Sequence, residues 1–187
     1  NEELPAGLEL KELVDMTRYL NARLNMMLNN LFQGSVLVAL MLTIFLRFRL
    51  AFWVMVGLPL CFLGAVMLMP VFGVSVNIMS LFAFIMVLGI VVDDAIVIGE
   101  SAYSEIEQRG PGVENVIRGA KRVATPATFG VLTTIAVFAP FTLSSGPDGE
   151  FFYNIAIVVI LCLAFSLIES KLILPAHIAH IKFTEVK

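Results

Sequence analysis

The sequence predicts an all-α fold, a polytopic membrane helical bundle of about five transmembrane helices. Three observations carry that prediction. Of 187 residues, 59% are hydrophobic and 14% charged, whereas soluble domains are closer to a quarter charged; the mean hydropathy is +0.93. The apolar residues gather into five runs, each near the roughly 20 residues a helix needs to cross a bilayer. Finally, nothing favours another class. Cys61 and Cys162 lie inside apolar runs and read as small hydrophobes rather than a disulfide frame. No basic patch is interleaved with aromatics, so nucleic acid is not an expected partner.

Residues 1–30 are polar and mixed in charge, with Leu10, Leu13, Leu20, Leu24 and Leu28 near helical spacing. They predict a periplasmic amphipathic lead-in helix to a bundle over 31–181. The first span, 31–48, closes on a basic pair, Arg47 and Arg49. The second, 51–72, opens on Trp53, an interfacial anchor, and carries Pro59 and Pro70; proline is tolerated where neighbours satisfy the freed carbonyl. A tight turn at 73–75 leads to the third span, 76–101. The polar connection 102–123 is broken by Gly110, Pro111 and Gly112, with a short surface helix expected from Val113 to Arg122. In the fourth span, 124–143, Thr125, Thr128, Thr133 and Thr134 are expected to bond across helices, for about 0.6 kcal/mol each. The loop 144–150 precedes the fifth span, 151–174; Pro175 marks a kink or an end, and 182–187 is a tail. The chain starts at Asn1 in a segment without signal-peptide layout and is expected to be a piece of a longer polypeptide.

Lysine and arginine set the orientation. Arg47, Arg49, Arg109, Arg118, Lys121, Arg122 and Lys182 fall in alternate connections or the tail, while the other two loops carry no basic residue. The basic side is expected to be cytoplasmic, with residues 1–30 beginning outside.

The third span breaks the rule that charge stays out of the bilayer. Asp93 and Asp94 stand side by side in it. An ionised carboxylate at that depth costs about 2.5–3.5 kcal/mol on insertion scales. Burial and a like-charged neighbour both disfavour a second negative charge, so the doublet is expected to hold a proton and to titrate as a pair. Successive helical residues diverge by roughly 100°, so the two acids face different neighbours inside a bundle. The leading reading is a proton path; the alternative is a structural module whose acids hold helices together.

Three residues support the doublet. Gly89, one turn before Asp93, admits a close backbone. Glu100, seven residues after Asp93, shares its face and either extends the path or caps the span. Asn77 is expected to bond the helix start rather than a substrate. Elsewhere, Glu169 lies deep in an apolar run and needs a partner, with Lys171 expected to snorkel outward. His177 and His180 read as interfacial histidines rather than a metal site.

From Gly89 through Asp93 and Asp94 to Val97, Gly-Ile-Val-Val-Asp-Asp-Ala-Ile-Val resembles the fourth transmembrane helix of resistance–nodulation–division efflux pumps. The run from Gly73 to Asn77 resembles the turn before that helix, Ala136 to Pro140 the fifth helix, and Leu174 to Ala176 the end of the sixth. The resemblance covers essentially the whole chain, as helices 2–6 of the N-terminal half. It implies proton-driven drug export from the bacterial inner membrane, with Asp93 and Asp94 as the proton relay and no cofactor beyond protons. The Asp-Asp pair implies the hydrophobe/amphiphile, multidrug branch, since the heavy-metal branch usually carries Asp-Ala. The implied partners are the remaining half of the transporter, its porter domains, and, in a trimer, a periplasmic adaptor and an outer-membrane channel. The lysine that partners the acids comes from the second half, so the fragment is expected to be incompetent alone and to self-associate as a homodimer. A protein- or lipid-export member of the wider superfamily is the remaining alternative, which the Asp-Asp doublet argues against.

Overall fold

The computed structural model describes residues 16–45, 48–146 and 148–180. Residues 1–15 of the expected lead-in helix and the tail after residue 180 lie outside them. The described chain is helical, with no strand among the described residues: α1 (Met16–Phe45), α2 (Phe48–Leu68), α3 (Ile78–Arg109), α4 (Val113–Phe138), α5 (Gly149–Ile168) and α6 (Leu174–His180). Five stretches are long and apolar enough to cross a membrane: Leu24–Ile44, Leu50–Phe72, Ile78–Arg109, Val113–Leu143 and Gly149–Ala179. The protein is a multi-pass membrane helical bundle.

Local chemistry fixes where each rod starts and stops. A 3-10 turn, Met69–Phe72, ends on Gly73, whose φ of 70° is the left-handed region open to glycine. The Gly73 N–H caps the carbonyls of Met69 and Pro70. Asn77 then opens α3 with a reciprocal box. Its Oδ1 accepts from the Ser80 N–H at 2.9 Å, and its own N–H donates to Ser80 Oγ at 2.7 Å. The side chain of Asn77 is therefore spent on the helix start.

The polar connection 102–123 is helical except at Gly110–Gly112. The segment expected as a separate surface helix, 113–122, is the first part of α4 itself. Gly110 turns the chain at φ 91°, and Asn115 Nδ2 donates to its carbonyl at 2.9 Å. Two long rods thus form one hairpin.

Pro175 does not end the fifth span. The rod continues from α5 through a π-helical turn, Glu169–Ile173, into α6. A proline ring cannot fit against the carbonyl four residues back in a regular helix, and a widened turn relieves that clash.

The central rod is α3, which touches α1, α2, α4, α5 and α6. Half of the apolar window of α3 and half of that of α5 are buried, against 6% for α1 and for α4, so these two are peripheral. Val87, Val91, Ala95 and Ala102 of α3, Val54 and Cys61 of α2, and Val158 and Cys162 of α5 form the core. Both cysteines are free and buried.

The peripheral place of α4 corrects the expectation for its threonines. Thr128, Thr133 and Thr134 donate to the carbonyls of Ala124, Phe129 and Gly130, four residues back in their own helix. Their outer face has no helix to meet, so the hydroxyls turn back to the nearest carbonyl.

Candidate functional site

The acidic doublet sits past the midpoint of α3, and helical geometry splits it. Asp94 is half-buried and turned toward the bundle, while Asp93 is exposed on the surface of this chain. The expectation that both carboxyls are enclosed by protein therefore does not describe Asp93 here. The reason is its stripe. Gly89, Asp93, Val97 and Glu100 recur at three- and four-residue intervals, with Phe82 two turns before Gly89, and all are exposed. A β-carbon added at Gly89 would meet nothing within 4 Å among the described residues, so none of them uses the gap that glycine leaves.

The inward carboxyl is the unusual one. Asp94 Oδ2 is buried and has no hydrogen-bond partner among the described residues. The ion pairs found there, Arg109 and Arg122 with Glu105, lie further along at the hairpin end. Leaving a buried acceptor unmatched costs about 1–3 kcal/mol, more if it is charged. A proton on the doublet lowers that cost by removing charge, and a donor from outside this chain would match the acceptor. Glu100 lies on the same exposed stripe as Asp93, toward the hairpin.

The hairpin end holds contacts that spacing alone reveals only in part. Glu105 is 6% exposed and accepts from Arg109 Nε at 2.9 Å, an i,i+4 pair readable in the sequence. Its second cation, Arg122 at 3.7 Å, comes from α4 and has no local signal. Ser101 Oγ donates to the carbonyl of Gly119 at 2.8 Å, and Gly119 lies against the backbone of α3. These contacts fix the hairpin end of the acid-bearing rod to α4.

At the end of the last rod, the ring of His177 packs on Trp53, with centroids 4.1 Å apart. Its Nδ1 lies 2.8 Å from the Ile173 carbonyl and so carries the hydrogen of that bond. Trp53 thus anchors α2 to α6 as well as standing at a span end. The side chain of His180 lies outside the described residues. Lys171 is half-buried.

With this geometry in hand, comparison with known proteins gives a single answer. The profile of the AcrB/AcrD/AcrF family matches residues 1–182. The chain belongs to that family. It is 27% identical over 175 residues to the solvent-resistant pump membrane transporter SrpB of Pseudomonas putida, covering 92% of this chain and 17% of that protein. It is 30% identical over 190 residues to the cobalt-zinc-cadmium resistance protein CzcA of Cupriavidus metallidurans, covering 96% and 18%. It is 30% identical over 179 residues to the multidrug resistance protein MdtC of Yersinia enterocolitica, covering 95% and 18%. The chain spans under a fifth of the length of these curated relatives. Their names include solvents, drugs and metals at similar identity, so overall similarity does not choose a substrate class.

Proposed function

We infer that this chain is the proton-translocating part of a proton-motive-force-driven efflux pump of the bacterial inner membrane. One observation carries the reading: a buried carboxylate oxygen of Asp94 without a partner, beside a second carboxyl, Asp93, on an open helix face. In this mechanism a proton from the outer side binds the doublet and cancels one negative charge. The open stripe of α3 can then close against an apolar or less basic neighbour. Loss of the proton toward the cytoplasm restores the charge and releases that packing. Glu100 lies on the exit side of the stripe.

Family membership supports efflux, and the Asp-Asp doublet supports organic amphiphiles rather than metal ions as cargo. The exposed stripe is the face that the other half of the transporter covers, supplying the base that these acids lack here. Porter domains, a periplasmic adaptor and an outer-membrane channel complete the assembly. The 187 residues alone do not transport; in isolation the uncovered face pairs with a second copy. Static light scattering calibrated for bound detergent checks that pairing, and a monomer counts against it.

The relay is tested in the parent transporter. Asp93→Asn and Asp94→Asn each abolish proton-coupled export of a dye while insertion and assembly persist. Export that survives either change removes that residue from the relay. Retained export in both variants supports instead the structural reading, in which the acids only hold helices together.

A further inference from the structure

A second carboxyl lies in the bundle, and the relay does not use it. Glu169 is 3% exposed at the first position of the π-helical turn between α5 and α6. Its head occupies a notch that only glycine provides: a β-carbon at Gly57 of α2 would fall 2.1 Å from Oε1 and 2.4 Å from Cδ. Among the described residues, no ion pair or side-chain hydrogen bond reaches it, and Lys171 makes no ion pair with it. From α2, the titratable group nearest the notch along the helix is the buried thiol of Cys61, one turn beyond Gly57 on the same face. On its own rod, Ser166 Oγ, one turn earlier, is buried and also without a partner.

The depth of Glu169 follows from two contacts. Tyr153, near the start of α5, donates to the carbonyl of Phe72 just ahead of α3, so the two rods begin at the same end. Further down, Leu174 and Val54 line the space beside Gly99, within 3.8 and 3.9 Å of a β-carbon built there. Asp94 precedes Gly99 by five residues, and Glu169 precedes Leu174 by five. At roughly 1.5 Å per residue, both acids stand about 7 Å above the same contact. Glu169 is therefore roughly level with the doublet, on a different rod.

A charge taken from water into such a site must be paired or neutralised. No counter-charge faces this carboxyl, and the charged groups at its level on α3 are themselves acids. π-Helical turns recur at functional positions, and ionisable groups inside a membrane are seldom idle. We propose that Glu169 is a further proton-binding site of the bundle, seated as the neutral acid in the Gly57 notch and separate from Asp93–Asp94. Ionisation drives the carboxylate out of the notch and loosens α2 from the α5–α6 rod. The inference stands whether or not the doublet is a relay.

The test uses the full chain in liposomes and dicyclohexylcarbodiimide, which modifies protonated carboxyls in apolar surroundings. Peptide mass spectrometry locates the adduct across a pH series, and infrared spectra report the carboxylic C=O stretch. The expected result is an adduct on Glu169 that declines as pH rises, together with a C=O band that Glu169→Gln removes. An Asp93→Asn, Asp94→Asn double variant keeps both signals, which separates this site from the relay. Gly57→Ala, which fills the notch, loses the Glu169 adduct; circular dichroism and gel filtration confirm that this variant still folds. An unmodified Glu169 at every pH in a folded chain, with no band assigned to it, overturns the proposal. So does protection by sodium but not choline chloride, which reassigns the site to a monovalent cation.

Discussion

The sharpest structural prediction concerns Gly119, where α4 crosses the acid-bearing rod. A β-carbon built at Gly119 lies 2.5 Å from both Ala102 Cα and the Ser101 carbonyl oxygen, and 2.8 Å from the Ala102 nitrogen. Favourable carbon contacts begin near 3.5 Å, so the shortfall is about 1 Å. All three atoms are backbone, and no rotamer change can yield. In Gly119→Ala the rods must part by roughly that distance, against a core that already holds Ala102, Ile106 and Val116. Overpacking of this kind costs about 1–3 kcal/mol. Separation also strains the 2.8 Å bond from Ser101 Oγ to the Gly119 carbonyl, for about 1 kcal/mol more. Alanine returns up to about 1 kcal/mol through helix propensity. The net expectation is a loss of about 1–3 kcal/mol.

The control lies on the same helix. Gly130 is exposed, and a β-carbon there meets nothing within 4 Å, so Gly130→Ala collects the propensity gain alone. Both variants are compared by thermal unfolding in one detergent, read from tryptophan fluorescence and static scattering. Gly119→Ala melts several degrees lower, at roughly 2–4 °C per kcal/mol for a chain of this size, while Gly130→Ala melts no lower than the parent. If Gly119→Ala matches Gly130→Ala, the close approach of α3 and α4 is refuted.

The other structural tests are smaller. Asn77→Ala removes the side-chain half of the α3 cap and costs about 1 kcal/mol, whereas Asn77→Asp, which keeps the acceptor, restores most of it; denaturant melts of the two variants check this. Gly73→Ala meets no atom within 4 Å, so its loss of about 1–2 kcal/mol comes from the left-handed backbone alone; its melting point should fall without any change in assembly. Glu105→Ala releases Arg109 and Arg122 and frees the hairpin end, measured as faster amide exchange over residues 105–122. Asp94→Asn supplies a donor and removes a buried charge, so the folded chain melts at or above the parent temperature even though export is lost.

How much of this was readable from the sequence depended on the range of the physics involved. Apolar runs, proline–glycine punctuation and the Asn77 cap are local, and the rods follow from them. The segment 102–109 misled because polar composition was read as loop, and the helix expected over 113–122 is the start of α4 rather than a separate element. Charge is tolerated on a helix that leaves the bilayer, and only Gly110–Gly112 interrupts it. Of the two outcomes expected at Pro175, a kink or an end, the end does not occur, since the preceding turn widens instead of breaking. For the site, Asp93 and Asp94 were conspicuous as charges in an apolar run, and a 100° step between neighbours required them to diverge. Which of the two turns inward was not readable, because it depends on the rotation of α3 among five neighbours. The Gly57–Glu169 notch was equally hidden: each residue is unremarkable until two distant segments meet.

The rotation of α3 also explains why two adjacent carboxyls have different surroundings. A helix packed on all sides would bury both, and two unpaired charges would cost more than the fold could offset. A helix at the periphery would solvate both, and protonation would change nothing in the packing. Here α3 has one face in the core, through Val87, Val91, Ala95 and Ala102, and one stripe left open along Gly89, Asp93 and Glu100. Asp94 stands at the border between them, with one oxygen already dry. Charge on the doublet is therefore felt on both sides: inward through an unmatched acceptor, outward through a face that can close only on a suitable partner. In the proposed relay, that borderline placement lets the gain of a single proton alter the contact between rods, with no movement inside the α3–α4 hairpin, which Gly119 locks.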